Sequence, residues 1–464
     1  MSEGRFLTGS TMGHVVRMTM TGAFGITFVF LVDAMNLFWV SQVGDPQLIA
    51  AIGFAFAIQF FSVSSGVGLM IASIAMVSRS IGSGQRAHAR TQAGATVVIS
   101  VIVQAAFSAV VVLLRHDLVA MAGATGETAT LAARYLAITV PSLALMAVGM
   151  TCSGVLRAEG MGAKAMYVTL TSGAVLMVID PVLILWMGLG LDGAAIGLVL
   201  FRVALMGVGL YFAVWQNNLV ARPDLSEVMR VLRPYTIIAV PTIATQLATP
   251  AGNYLLTIVI APFGDDAVAA WAVVGRLTVV AFGGVFALSG AVGGIFGQNY
   301  GAGYYERLRT TYRDAMIFCV VYTLVVWALL ILTGPYVISA FELSGQGADV
   351  VWAFITVGVG GFLFVGALFV SNAAFNNLGK PTRSTLVNWT KEGIISWPAA
   401  LLLAGFFGAP GVIYGQALAG AIVGLAAVIW GWRYVQSLEG LPQQPIAGAD
   451  PVRPFPNPDR FRRR

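Results

Sequence analysis

Residues 48–77 read LIAAIGFAFAIQFFSVSSGVGLMIASIAMV, thirty positions without one charged side chain. A helix of that length crosses the roughly 30 Å hydrocarbon core of a bilayer. Eleven further runs of the same kind lie outward from it, at about 15–40, 92–114, 129–152, 165–186, 193–215, 235–261, 267–296, 315–336, 351–375, 385–406 and 412–434. Only helices suit the pattern, because a chain in lipid must satisfy its own backbone polar groups. Over all 464 residues, 58% are hydrophobic and 10% charged, with a mean hydropathy of +0.84. A soluble globule shows water a large polar exterior and has no place for so much apolar surface. The reading is an all-α polytopic membrane protein with twelve transmembrane helices.

Shifted by about 219 residues, the chain meets itself. Ala50-Ala51 falls on Ala269-Ala270, Ile81-Gly82-Ser83-Gly84 on Tyr300-Gly301-Ala302-Gly303, Arg90 on Arg309 and Gly160 on Gly379. With small gaps, Pro181 meets Pro398 and Gly193 meets Gly411. Six spans separate the copies, so both halves have one orientation and the pseudo-symmetry axis follows the membrane normal. The expected division is an N-terminus of 1–14, an N-lobe of 15–215, a polar linker helix or strap at 216–234, a C-lobe of 235–434 and a basic tail of 435–464. Two like lobes leave a cleft between them, the layout of transport by alternating access.

Lys and Arg crowd the loops after even-numbered spans, among them Arg79, Arg86, Arg90, Arg157, Lys164, Arg222, Arg307, Arg309, Lys380 and Arg383. By the positive-inside rule both termini are cytoplasmic, in the cell (inner) membrane. The tail, which ends Arg462-Arg463-Arg464, reads as a segment beside anionic lipid rather than a nucleic-acid arm. The first run follows a polar start, Met1–Gly13, and is expected to stay as the first span rather than be cleaved as a signal. Cys152 and Cys319 fall in or beside apolar runs, and His14, His88 and His116 are scattered. Neither a metal site nor a cofactor is expected. A membrane-embedded enzyme would need a nucleophile, a metal or an acid–base set, and no such motif stands in the sequence. No catalytic residue is therefore assigned.

Ionisable residues inside spans are costly and point to function. Asp33 in span one and Asp180 in span five both lie roughly 10 Å below the outer surface at 1.5 Å rise per residue. Two carboxylates sharing a pocket of low dielectric cannot both stay charged cheaply, so the pair is expected to take a proton or a cation and serve as the ion-coupling site. The C-lobe has Asn253 in the place of Asp33 and Trp397 near that of Asp180, so the ion chemistry is expected in the N-lobe. Arg202 in span six either neutralises an aspartate or bonds to helix-end carbonyls. Glu392 in span eleven either joins the binding surface or snorkels with Lys391 to the inner surface. The candidates for the substrate cleft are Asn36, Gln59, Arg202, Gln246, Asn253, Asn372 and Glu392.

Four stretches carry a resemblance to a known family. They are the span-one acid with Val43-Gly44 and Ile49-Ala50-Ala51-Ile52-Gly53; Gly154-Val155-Leu156-Arg157-Ala158-Glu159-Gly160; Asp180-Pro181-Val182-Leu183-Ile184 followed by Gly190-Leu191-Asp192-Gly193; and Gly297-Gln298-Asn299-Tyr300-Gly301-Ala302-Gly303. Together they resemble the multidrug and toxic compound extrusion (MATE) transporters, over roughly 15–434, and their DinF-like branch in particular. The resemblance implies a V-shaped cleft, a monomer, and export of organic cations or drugs (xenobiotics) by antiport with protons or sodium. It also implies that Asp33 binds the coupling ion, with Asp180 as a second acid. Leu176, Leu198 and Arg202 depart from the family pattern, and the acids that other branches carry in spans seven and ten are absent, with Gln246 and Asn372 nearby. Sodium wants several oxygen ligands, so the loss favours protons. The runner-up is a flippase of lipid-linked precursors, which would want a cationic cleft.

Overall fold

Twelve long helices run back and forth through the structure, a computed structural model that describes residues 4–341 and 343–438. They are α1 (Thr11–Ser41), α2 (Pro46–Gly82), α3 (Arg86–Leu113), α4 (Gly126–Ala158), α5 (Gly162–Trp186), α6 (Gly190–Gln216), α7 (Leu225–Phe263), α8 (Asp265–Gly301), α9 (Tyr305–Ala340), α10 (Gly345–Asn377), α11 (381–407) and α12 (Pro410–Ser437). A short helix, Arg115–Met121, joins α3 to α4, and no strand occurs among the described residues. Eleven of the twelve are long and apolar enough to cross a membrane on composition alone. The exception, α11, carries Lys391 and Glu392 near its middle. The expected tail beyond Leu438 lies outside the described residues.

Helix starts follow local chemistry. Asp45 accepts from the Gln47 amide at 2.9 Å, with Pro46 in the first turn of α2. At α7, Asp224 and Glu227 form a reciprocal capping box. That box starts the helix at Leu225, so the polar stretch 225–234 forms the first turns of α7. The later part of the segment expected as a linker helix or strap is thus helical and continuous with α7. Cys152 and Cys319 are buried and unpaired.

The sequence repeat is written into the backbone. Gly44 and Gly264 (φ 81° and 97°), Gly84 and Gly303 (77° and 75°), and Gly160 and Gly379 (84° and 96°) take the left-handed conformation at equivalent loops. Packing repeats as well. Helix α1 packs on α5 in its own half and on α8 of the other, while α7 packs on α11 and on α2.

The lobes meet most closely at the end bearing the basic loops. A Cβ on Gly82 would run into the Gln298 carbonyl, and one on Gly301 into the Arg79 carbonyl. These are pseudo-symmetric contacts, because both pairs are 219 residues apart. The N-terminal segment fills this seam. Phe6 is 1% exposed; its amide donates to Gln298 Oε1 at 2.9 Å, and its carbonyl accepts from Arg307 at 2.9 Å. Gln298 also donates to the Ala158 carbonyl at 2.6 Å, tying the lobes together. Toward the other end the same four helices expose side chains, among them Asp33 on α1, Phe56 on α2, Asn253 and Tyr254 on α7 and Arg276 on α8. Exposed side chains of both lobes therefore stand at the end where the expected cleft opens.

Candidate functional site

Asp33 lies on the exposed face of α1, at the end where the expected cleft opens. Its carboxylate has open surface but is otherwise surrounded by protein, as expected of a group at the wall of a deep cleft. One turn on, at the i+3 position that shares its helix face, Asn36 donates from Nδ2 to Asp180 Oδ2 at 2.6 Å. Asp180 itself is 1% exposed, and its second oxygen, Oδ1, is buried without a donor. Room for it comes from α6, where a Cβ on Gly197 would collide with Oδ1. The structure thus brings both predicted acids to one place: Asp33 at the cleft wall, Asp180 behind it, and Asn36 joining α1 to α5.

Arg202 completes the charge set. It is 2% exposed, so it lies inside the N-lobe rather than in the cleft where it was expected. Its guanidinium donates to the Thr139 carbonyl at 2.6 Å, to Ser142 Oγ at 2.9 Å and to Gln59 Oε1 at 2.9 Å. Thr139 and Ser142 flank Pro141 in a 3-10 turn, Val140–Ser142, that interrupts α4. A prolyl nitrogen cannot donate, and the arginine supplies donors to this break. Of the two roles open to Arg202, the carbonyl bond is the one observed. Gln59 is corrected in the same way: it is buried, and its amide donates to Thr139 Oγ1 at 2.7 Å. Both are polar in an apolar lobe because they satisfy each other.

The C-lobe candidates fall elsewhere. Asn253 is exposed and Gln246 half-buried, both on α7. Asn372 is buried, its Oδ1 accepting from Asn388 at 3.1 Å, so it braces α10 against α11 rather than lining the cleft. Glu392 neither lines the cleft nor snorkels. It is 8% exposed and pairs with the 5% exposed Lys391, Nζ to Oε1 at 2.6 Å. Adjacent residues of an α-helix point about 100° apart; here they lie in a π-helical stretch, Thr390–Ser396. Asp192 pairs with Arg134 at the surface.

Sequence reasoning missed Tyr135. It is 5% exposed on α4, and the charges of Arg202, Asp33 and Asp180 all act on its hydroxyl. A lone tyrosine in an apolar run gives no signal of this; only the fold places it beside the acids.

Two repeated lobes of long apolar helices, with two acids of the first lobe on facing helices inside its apolar spans, have the layout of a membrane transporter. The chain belongs to the MatE family, whose model matches residues 23–182 and 241–402. It is 24% identical to a FAD transporter of Shewanella oneidensis, over 92% of this chain and 96% of that one. It is 20% identical to the multidrug export protein MepA of Staphylococcus aureus, over 85% and 88%. Its fold matches a crystal structure of a Vibrio cholerae MATE transporter, VcmN, with a TM-score of 0.86 at 24% identity, covering 92% of this chain and 97% of that one.

Proposed function

We propose that this transporter exports small organic cations by antiport with protons, with its basic end in the cytoplasm. One observation carries the reading. Asp33 stands at the cleft with no protein donor among the described residues, and Asn36 links its helix to the buried Asp180. A carboxylate so placed can bind a proton or face a cationic substrate, but does not hold both at full strength. That exclusion is the basis of antiport. Asp180 accepts an amide N–H from Asn36 rather than sharing a ring of further oxygens with Asp33, which suits a proton better than sodium.

A second reading is export of an anionic flavin dinucleotide. The similarity to the Shewanella FAD transporter favours it, as does Arg276, exposed on α8.

Substrate-induced proton release in sealed proteoliposomes tests both, comparing wild type with Asp33→Asn and using sodium as a control. A cationic dye that drives proton movement in wild type but not in the variant supports the first reading. Movement supported by sodium alone replaces the ion. Transport of FAD without transport of the dye moves the second reading into first place.

A further inference from the structure

Arg202 is a buried cation whose hydrogen-bond partners are all neutral: a carbonyl, a hydroxyl and an amide oxygen. Its Nε is buried without an acceptor. A guanidinium stays charged in proteins, and a charge inside a membrane lobe ordinarily pairs with a carboxylate. Two carboxylates, Asp33 and Asp180, stand within the spans of the same lobe, yet neither lies within ion-pair distance of it among the described residues. Its field nonetheless reaches Asp33 and Tyr135. The break in α4 holds it at this remove, because Thr139 and Ser142 take its donors.

We propose that Arg202 is the fixed counter-charge of the Asp33–Asp180 site, held short of a salt bridge so that the site cycles between net −1 and neutral on a single proton. This rests on the antiport reading. Two carboxylates and one guanidinium sum to −1, and one proton brings the sum to zero. A direct bridge would tie up the carboxylate that must exchange. Loss of the arginine would leave −2, and one proton would not neutralise the site. The groups acting on the acids are Asn36 from α1, Tyr135 from α4 and Arg202 from α6, with Gln59 from α2 bonded to the arginine. From the opposite lobe, α8 and α7 present Arg276 and Asn253 as exposed residues. Arg202 is the cation of the acids' own lobe whose field acts on Asp33. It is a positioning residue, not one that touches substrate.

The test is the pH profile of dye exchange, together with protons released per dye, in proteoliposomes of Arg202→Gln, Arg202→Lys and Gln59→Glu. Removing a nearby cation makes a carboxyl hold its proton to higher pH, by about 1 unit or more for a close charge. Arg202→Gln should therefore move the midpoint alkaline by about 1 unit and raise protons per dye above one, whereas Arg202→Lys should restore both. Should Arg202→Gln fail to fold, Gln59→Glu gives the same readout, since a carboxylate beside the arginine cancels its charge and predicts the same alkaline shift. An unmoved profile in the charge-removing variants, or a Lys variant shifted as far as the Gln one, would make Arg202 a brace of α4 and overturn the inference. Wild type that moves no protons removes the antiport reading and the inference together; wild type that moves protons with an unmoved variant profile removes the inference alone.

Discussion

Helices α1 and α5 of the N-lobe and α7 and α11 of the C-lobe are equivalent pairs, yet they treat charge in opposite ways. The first pair carries Asp33 and Asp180, and its helices are joined by the Asn36 amide donating to Asp180 at 2.6 Å. The second carries Lys391 and Glu392, which neutralise each other at 2.6 Å. Each buried carboxylate has a glycine making room for it: a Cβ on Gly197 would meet Asp180, and one on Gly252 would meet Glu392. The C-lobe pair is also strapped. Thr385 donates to the Pro241 carbonyl at 2.8 Å, and Trp389 to the Ala244 carbonyl at 2.8 Å. One scaffold thus holds a charge that can change and, in its second copy, a charge balance that is closed. Under the antiport reading the N-lobe responds to protons and the C-lobe is its rigid partner.

The largest effect that could break this comparison is on transport. Asp180→Asn should lower proton-coupled dye export at least about tenfold, a barrier change of about 1.4 kcal/mol, with dye binding in detergent retained. Glu392→Gln, assayed per folded molecule, should transport nearly as wild type. If both variants abolish proton release equally, the lobes do not differ in the way proposed. Stability should show the reverse order. Glu392→Gln leaves Lys391 buried without its partner, a loss of about 3 kcal/mol that thermal unfolding in detergent will register. Replacing both residues by Met should recover most of it, since an apolar pair of similar volume often equals a buried ion pair.

What the sequence made legible follows from how each feature is encoded. Twelve apolar runs and two acids within them are local features, and both were readable. The tie from Asn36 to Asp180 spans 144 positions and that from Arg202 to Gln59 spans 143, so the partners could be named only as polar residues in spans. Gln59, Arg202, Asn372 and Glu392 were therefore placed at the cleft, although each is satisfied inside a lobe. The π-helical stretch at 390–396 has no sequence signature, so Glu392 was expected at the binding surface or snorkelling with Lys391, not paired with it inside the lobe. Phe6 sits in a start that reads as polar, and its place in the seam depends on Gln298, 292 positions away.

The glycines sharpen the comparison at smaller amplitude. Gly197→Ala and Gly252→Ala each overpack a buried carboxylate and should destabilise by about 1–3 kcal/mol. Only Gly197→Ala should also move the pH profile of transport, because it pushes Asp180 away from Asn36. A shifted profile in Gly252→Ala would show that the C-lobe pair takes part in coupling.

The smallest effect lies where the two equivalent helices begin. Helix α1 is capped by the Ser10 hydroxyl, which accepts from the Gly13 amide and does not titrate. Helix α7 is capped by Asp224, whose carboxyl is held below the usual carboxylate range by the Glu227 amide and the Ser226 hydroxyl. A group whose acidity is strengthened by folding contributes stability that is present above its unfolded value, about 3.9 for Asp, and lost as pH falls through its folded value. Hydrogen exchange in the first turn of α7 should therefore gain less protection from the fold below about pH 4, relative to Asp224→Asn, which keeps a neutral cap at every pH. The first turn of α1 should show no such difference between the two proteins. Equal pH responses in the two turns would mean that the Asp224 cap does not set the start of α7, and that the capping box does not account for the helix beginning at Leu225.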